Sequence, residues 1–385
     1  MTRKTLSALL LLTPFTAAFA LADEAEKQFT VVEYHPAPGQ FVNVLPAYED
    51  GDTHETMCRR CEEQLQDGNP VTLGALGGYI TFRFNTPIQN LRGSDILIKG
   101  NAYYAANDPK YGSETIGGSI EPGTVWAGIG ASPETAEWYE LAGSEYFTTE
   151  RRNATIAYTK PSAESGDHSA PYSTYDRYLA FTLSWTEEGG MARDTTGFFM
   201  KNTFHQQSYW PAWESDEVMS FSTSRLPDNA VNYGGTGEDA DNPQYWITYR
   251  YSKDAYGYAD AAPNADERSN SFDLDWAVDA SGKSVSLEQA NFIRVQTAVL
   301  QECGWTGETS TEVSFIENLH LRSGYDADPI VITPRPHPTA ILAPHASENL
   351  SPTFYYIDGT RINAPRRGIN IVRLADGSVR KVVTK

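Results

Sequence analysis

The chain has 385 residues, 12% of them aromatic and only 21% charged, with 30 glycines and 22 prolines. That mixture excludes a coiled coil, a collagen-like repeat and a long disordered polyampholyte. With 30 basic against 50 acidic residues the net charge is −20, a field that repels phosphate backbones and argues against nucleic acid as a partner.

Residues 1–22 read as a secretory signal. Arg3 and Lys4 make a basic start, Leu6 to Ala20 an apolar stretch, and Ala20-Leu21-Ala22 a small-residue cleavage site. The apolar run is short and is followed at once by Asp23, Glu24 and Glu26. It therefore predicts export, to the medium or the outer-membrane surface, with no membrane span left in the mature chain.

Asp52-Thr53-His54-Glu55 offers a capped helix start before Met57, Cys58, Cys61 and Leu65, and Gly68-Asn69-Pro70 a stop. Val71 to Phe84 follows as the clearest strand, with Tyr79, Thr81 and Arg83 on one face and Ile80, Phe82 and Phe84 on the other. Asp95–Gly100, Thr124–Ala127, Ala136–Leu141, Tyr178–Trp185, Gln244–Tyr251 and Phe292–Thr297 behave similarly. Many short strands without helical periodicity between them predict a mainly β chain, a jelly-roll or β-sandwich spanning 23–325. Residues 148–270 are richer in Tyr, Asn, Asp and Gly and less periodic, and read as a long loop-rich insertion. Pro329, Pro334, Pro336 and Pro338 make 326–350 an extended linker. Residues 351–385 read as a small β tail with seven basic and two acidic residues and an Asp376-Gly377 hairpin turn.

The tail, through Tyr356 to Arg361, Gly368 to Val372 and Arg380 to Lys385, resembles the C-terminal sorting tails of type IX secretion substrates in Bacteroidetes-type bacteria. The resemblance implies the type IX secretion machinery as a partner. Val71 to Asn101, Glu121 to Trp126, Glu137 to Tyr146 (E-W-Y-E-L-A-G-S-E-Y) and Asn291 to Val313 resemble a family of secreted Bacteroidetes cell-surface proteins, sometimes called PKD-like, usually without assigned activity. The strand order also looks like discoidin or galactose-binding jelly rolls, in which loops meet the ligand. That surface family often carries a calcium loop before the W-Y-E-L string. Here Gly128 to Ala136 holds a single carboxylate, Glu134, too few oxygens for calcium, so no cofactor is expected.

The most site-like stretch is Asn202 to Trp213, where Asn202, His205, Gln206, Tyr209, Trp210 and Trp213 pack amides, an imidazole and rings into a non-alternating segment. Exposed rings beside amides make a platform for sugars or another planar ligand, and Trp246 is expected to join them. A buried aromatic cluster stapling a long loop would have the same composition. The Gly-rich Asn232 to Asp239 lacks a P-loop lysine and reads as a loop. Cys58-x-x-Cys61 lacks a redox context, and with His54 alone nearby it lacks a fourth zinc ligand; Cys303 is the odd thiol, expected beside Trp305. Glu137, Glu140, Glu145, Asp273, Asp275, Asp279, Glu308 and Glu312 could include a glycosidase pair, a matter of distances that sequence does not contain.

The sequence therefore predicts a non-catalytic surface protein capturing a glycan or other nutrient. The alternatives are an extracellular glycan hydrolase using two carboxylates, or an accessory to outer-membrane uptake of a corrinoid-like cofactor.

Overall fold

The computed structural model describes residues 28–106, 108, 110, 115–147, 151–162, 176–187, 190–201, 205–232, 246–303 and 306–325, and the backbone of four C-terminal strands. The signal-like residues 1–22, the linker 326–350, Asn202, the loop 233–239 and Trp305 lie outside the described residues. The chain divides into two compact units, 1–334 and 335–385.

The chain is mainly β, with one α-helix among the described residues. Its largest sheet has six antiparallel strands in the order Phe29–His35, Tyr79–Gln89, Gln289–Thr297, Gly123–Ile129, Glu137–Leu141, Ala277–Val278. Period-2 alternation carries Ile80, Phe82, Phe84, Val125, Ala127, Ile293 and Val295 into one buried core. The register places Val295 opposite both Ile80 and Val125, so the branched side chains stack across three strands.

The strand expected over Val71 to Phe84 is interrupted. Val71–Thr72 pairs with Glu312–Val313, and the chain then turns before Tyr79. Gly74 (φ +67°) sits where a Cβ would lie 1.8 Å from the Ala37 carbonyl oxygen, and the Cβ of a residue in place of Gly78 would be 1.9 Å from that of Leu73. Backbone packs on backbone there, which only glycine permits.

The expected helix is present as His54–Gln66. Thr53 caps it by accepting the Thr56 N–H, and Met57, Cys61 and Leu65 enter the core of the six-stranded sheet. Burying each of the larger side chains contributes about 1.5–3 kcal/mol. On the same helix Glu62 accepts the Val31 N–H at 2.9 Å. The helix thus covers the outer edge of Phe29–His35, which would otherwise invite pairing with another chain.

The region read as a loop-rich insertion contains a second sheet, in the order Ala192–Lys201, Asp176–Thr186, Arg151–Thr159, Val218–Arg225. Ile156, Tyr158, Leu179, Leu183, Phe199 and Phe221 form its core together with Ala37 and Leu76. Tyr158 donates its hydroxyl to the Leu76 carbonyl at 2.8 Å. The Thr-, Asp- and Arg-rich faces of these strands hide their alternation. Smaller sheets complete the unit, one in the order Ala230–Asn232, Trp246–Tyr249, Gly117–Ser119, Tyr103–Tyr104 and another Ser271–Phe272, Ile96–Lys99, Phe315–Asn318. The pairing establishes a mainly β chain and no narrower class.

The C-terminal unit holds an antiparallel sheet in the order Arg361–Ile362, Thr353–Tyr356, Gly368–Arg373, Val379–Thr384, the strands expected of the tail. No helix among the described residues is long and apolar enough to cross a membrane.

Candidate functional site

The stretch 205–213 is not an exposed platform. Tyr209 is fully buried, edge-on to Tyr178, and Trp210 is only 3% exposed within the second sheet's core. Trp213 is half-buried and stacks on Tyr34 at 5.7 Å and Tyr48 at 6.2 Å. Asn43, in the left-handed region at φ +71°, donates its amide to the Ser208 and Trp210 carbonyls and accepts the Ala212 N–H. His205 is half-buried against Phe41 at 4.7 Å, and burial lowers its pKa; Gln206 is exposed. Trp246 belongs to another sheet, opposite Asn232. The expected platform is corrected to a set of mostly interior rings, because a segment without strand partners is anchored by burying its large side chains.

Most of the expected carboxylates are engaged in hydrogen bonds of the fold. Asp279 closes a turn through Ser281 and Lys283, Asp273 caps a 3₁₀ turn through Asp275, and Asp275 accepts from Asn90. Glu140 accepts from Ser224, Glu145 accepts from Ser144, and Glu308 accepts the Gln40 N–H at 2.7 Å. Glu137 is exposed at a strand start. Glu312 joins a cluster that the sequence does not suggest, with Glu121 and Asp260. Asp260 accepts N–H groups from Asn101, Ala102 and Glu312, and Glu312 accepts from Thr72 and Ser310. Burial, then the neighbouring carboxyls, pushes Glu121 and Asp260 well up. Glu121, Asp260 and Glu312 fasten the interior.

A different set of residues lines open space. One groove, about 500 Å³, runs between the edge strand Phe29–His35 and the helix His54–Gln66, past Thr30, Glu33, Cys58, Arg59 and Glu62. A second, about 350 Å³, is lined by Tyr79, Glu214, Asp216, Val218 and Phe221. His35 and His54 line both.

Three chain segments meet where the grooves join. His35 ends the edge strand, His54 starts the helix, and Glu214 follows the turn closed by its own N–H on the Pro211 carbonyl. The His54 Nε2 lies 3.1 Å from Glu214 Oε1, and the two imidazole rings are 5.3 Å apart. One potential ligand atom from each of the three lies within 4.8 Å of the others. His35 also contacts the Tyr79 ring at 5.3 Å. Burial, then the neighbouring His54, lowers the His35 pKa, so its imidazole is neutral near pH 7.

Beside this point the outer face of the six-stranded sheet carries a stacked row. The Arg294 guanidinium lies 4.3 Å from the Tyr79 ring and 4.1 Å from that of Trp138. It is held by Glu33 at 2.8 Å and by Thr81 at 3.0 Å. Tyr79 and Trp138 are half-buried, each with part of its surface open. Cys58, on the groove wall, is pushed up to about 11 by burial and then by Glu62, and so stays a thiol. It, Cys61 and Cys303 are unpaired with one another.

Neither a scan against protein-family models nor a search of the curated proteins finds a match for the chain. The site rests on its geometry. Only His54 had drawn notice in the sequence, and no spacing motif links His35, His54 and Glu214, because the fold alone brings them together.

Proposed function

We propose that this chain is an exported, non-catalytic binding protein whose ligand site is the double groove at His35 and His54. The observation that carries the reading is the conjunction of that groove with the Tyr79–Arg294–Trp138 row beside it. The exposed parts of Tyr79 and Trp138 offer apolar contact to the CH groups of a sugar, and Glu33, Arg294 and Asp216 supply hydrogen-bonding groups for hydroxyls. A glycan or another polar nutrient is the ligand class. The reading moves the site from the rings around Trp210 to the sheet face.

In the same proposal residues 1–22 direct export and the basic C-terminal strands act as a type IX sorting tail. The separate four-stranded unit that those strands form supports this. The main body is proposed as a jelly-roll relative of the secreted Bacteroidetes surface family, of which the antiparallel sheets support the mainly β class.

The test is a glycan panel with retention and product release measured together. Retention without turnover, reduced by Tyr79→Ala with Trp138→Ala, is the expected result. Retention unchanged by that pair removes the site, and release of reducing ends replaces the binding reading with a hydrolase.

A further inference from the structure

The junction of the grooves has the donor set of a metal centre. Two imidazoles and a carboxylate are the ligands of zinc-class ions, and sites with three protein ligands leave a coordination position for water or substrate. Bonds of about 2.0–2.1 Å place two ligand atoms of a tetrahedral ion about 3.3 Å apart. The His54–Glu214 separation of 3.1 Å already matches such an edge. The remaining separations, bounded at 4.8 Å, close by rotation of side chains that have room to move, since the His54 side chain is 47% exposed.

The surroundings point the same way. The His35 and His54 rings lie 5.3 Å apart, so both imidazoles reach the same point. His35 rests against the Tyr79 ring and Glu214 is only 13% exposed, so both sit in a partly enclosed setting, with His54 the freer ligand. Glu55, Glu62 and Asp216 line the two grooves together with Glu33, which is paired with Arg294, and the one lining cation, Arg59, is paired with Glu63. That field concentrates divalent cations.

We propose that His35, His54 and Glu214 bind one divalent transition-metal ion of the zinc class, with its open coordination positions facing the groove. This inference stands whether or not the groove takes a glycan. The ion would present water, or a ligand oxygen, at the point where the two grooves meet.

The test uses the untagged full chain, titrated with Co²⁺ and Zn²⁺ by calorimetry and visible absorption. One ion per chain is expected, with a Co²⁺ spectrum of nitrogen and oxygen ligands and no near-ultraviolet thiolate band. His54→Ala and Glu214→Gln should each weaken binding by more than the about 10–100-fold typical of losing an outer-shell partner. Cys58→Ser with Cys61→Ser should leave binding intact. Near-ultraviolet circular dichroism checks that each variant is folded; both primary substitutions fall at partly exposed side chains outside the core. Binding unchanged by His54→Ala with Glu214→Gln, a thiolate band lost with Cys58→Ser, or no uptake by the parent chain each overturns the proposal.

Discussion

Trp210 and Trp138 are both tryptophans next to a cation, and the fold uses them in opposite ways. Trp210 sits in a segment without strand partners, 3% exposed, with the Lys160 Nζ 5.9 Å from its ring. Trp138 stands on a regular strand, half-buried over Gly128, with the Arg294 guanidinium at 4.1 Å. One ring anchors a loop by being enclosed. The other lies flat on a sheet face that is already held by its ladder, and so can remain partly open. Aromatic density along a chain therefore marks large contact area, and the backbone beneath it decides whether that area faces the core or a ligand.

The contrast is broken most directly by truncation. Trp210→Ala should cost about 3–5 kcal/mol in denaturant unfolding, the usual loss for a buried tryptophan. Trp138→Ala should cost far less, and equal losses would erase the distinction. Trp210→Phe should be mild by comparison, since the Trp210 indole N–H has no partner among the described residues.

Asn43→Ala is next in size. It removes one side chain that satisfies the Ser208 and Trp210 carbonyls and the Ala212 N–H. A loss of about 1–3 kcal/mol is expected from unsatisfied buried groups. The change should lower the melting temperature in a thermal unfolding scan.

Titration sharpens the same comparison. Burial pushes Glu302, which accepts the Met200 N–H, and Asp273 up to about 7. A carboxyl raised in the folded state contributes stability that is fully present below its unfolded value and lost as pH rises through the folded one. The melting temperature should therefore decline from about pH 4 to about pH 7 on account of these two groups. Glu302→Gln should flatten part of that slope. His35 acts oppositely: its pKa is lowered, so its contribution is present above the ordinary histidine value and is lost as pH falls through the lower folded one. His35→Gln should reduce the fall on the acid side, read as melting temperature against pH.

The smallest stability effect is expected at the groove itself. His54→Ala should change unfolding by no more than about 0.5 kcal/mol, as for other exposed positions. Its consequence is metal loss, measured by Co²⁺ absorption.

Much of the first sheet was legible because half-buried strands alternate visibly, as from Tyr79 to Phe84. The helix was legible from Thr53, the apolar spacing of Met57, Cys61 and Leu65, and Gly68. The second sheet was mostly not, since Ala192–Lys201 and Arg151–Thr159 carry Thr, Asp and Arg that blur the period. The strand over Tyr178–Trp185 was the exception. Of the candidate site, only His54 was in view, and the rings chosen in its place were of the right type and mostly faced inward.

By itself, then, the sequence determined strand content, the capped helix and the tail strands, because periodicity and capping are properties of neighbouring residues. The tertiary structure alone decided which rings are enclosed, and that His35, His54 and Glu214 share one point. Those outcomes depend on contacts between segments far apart in the chain, which no local pattern encodes.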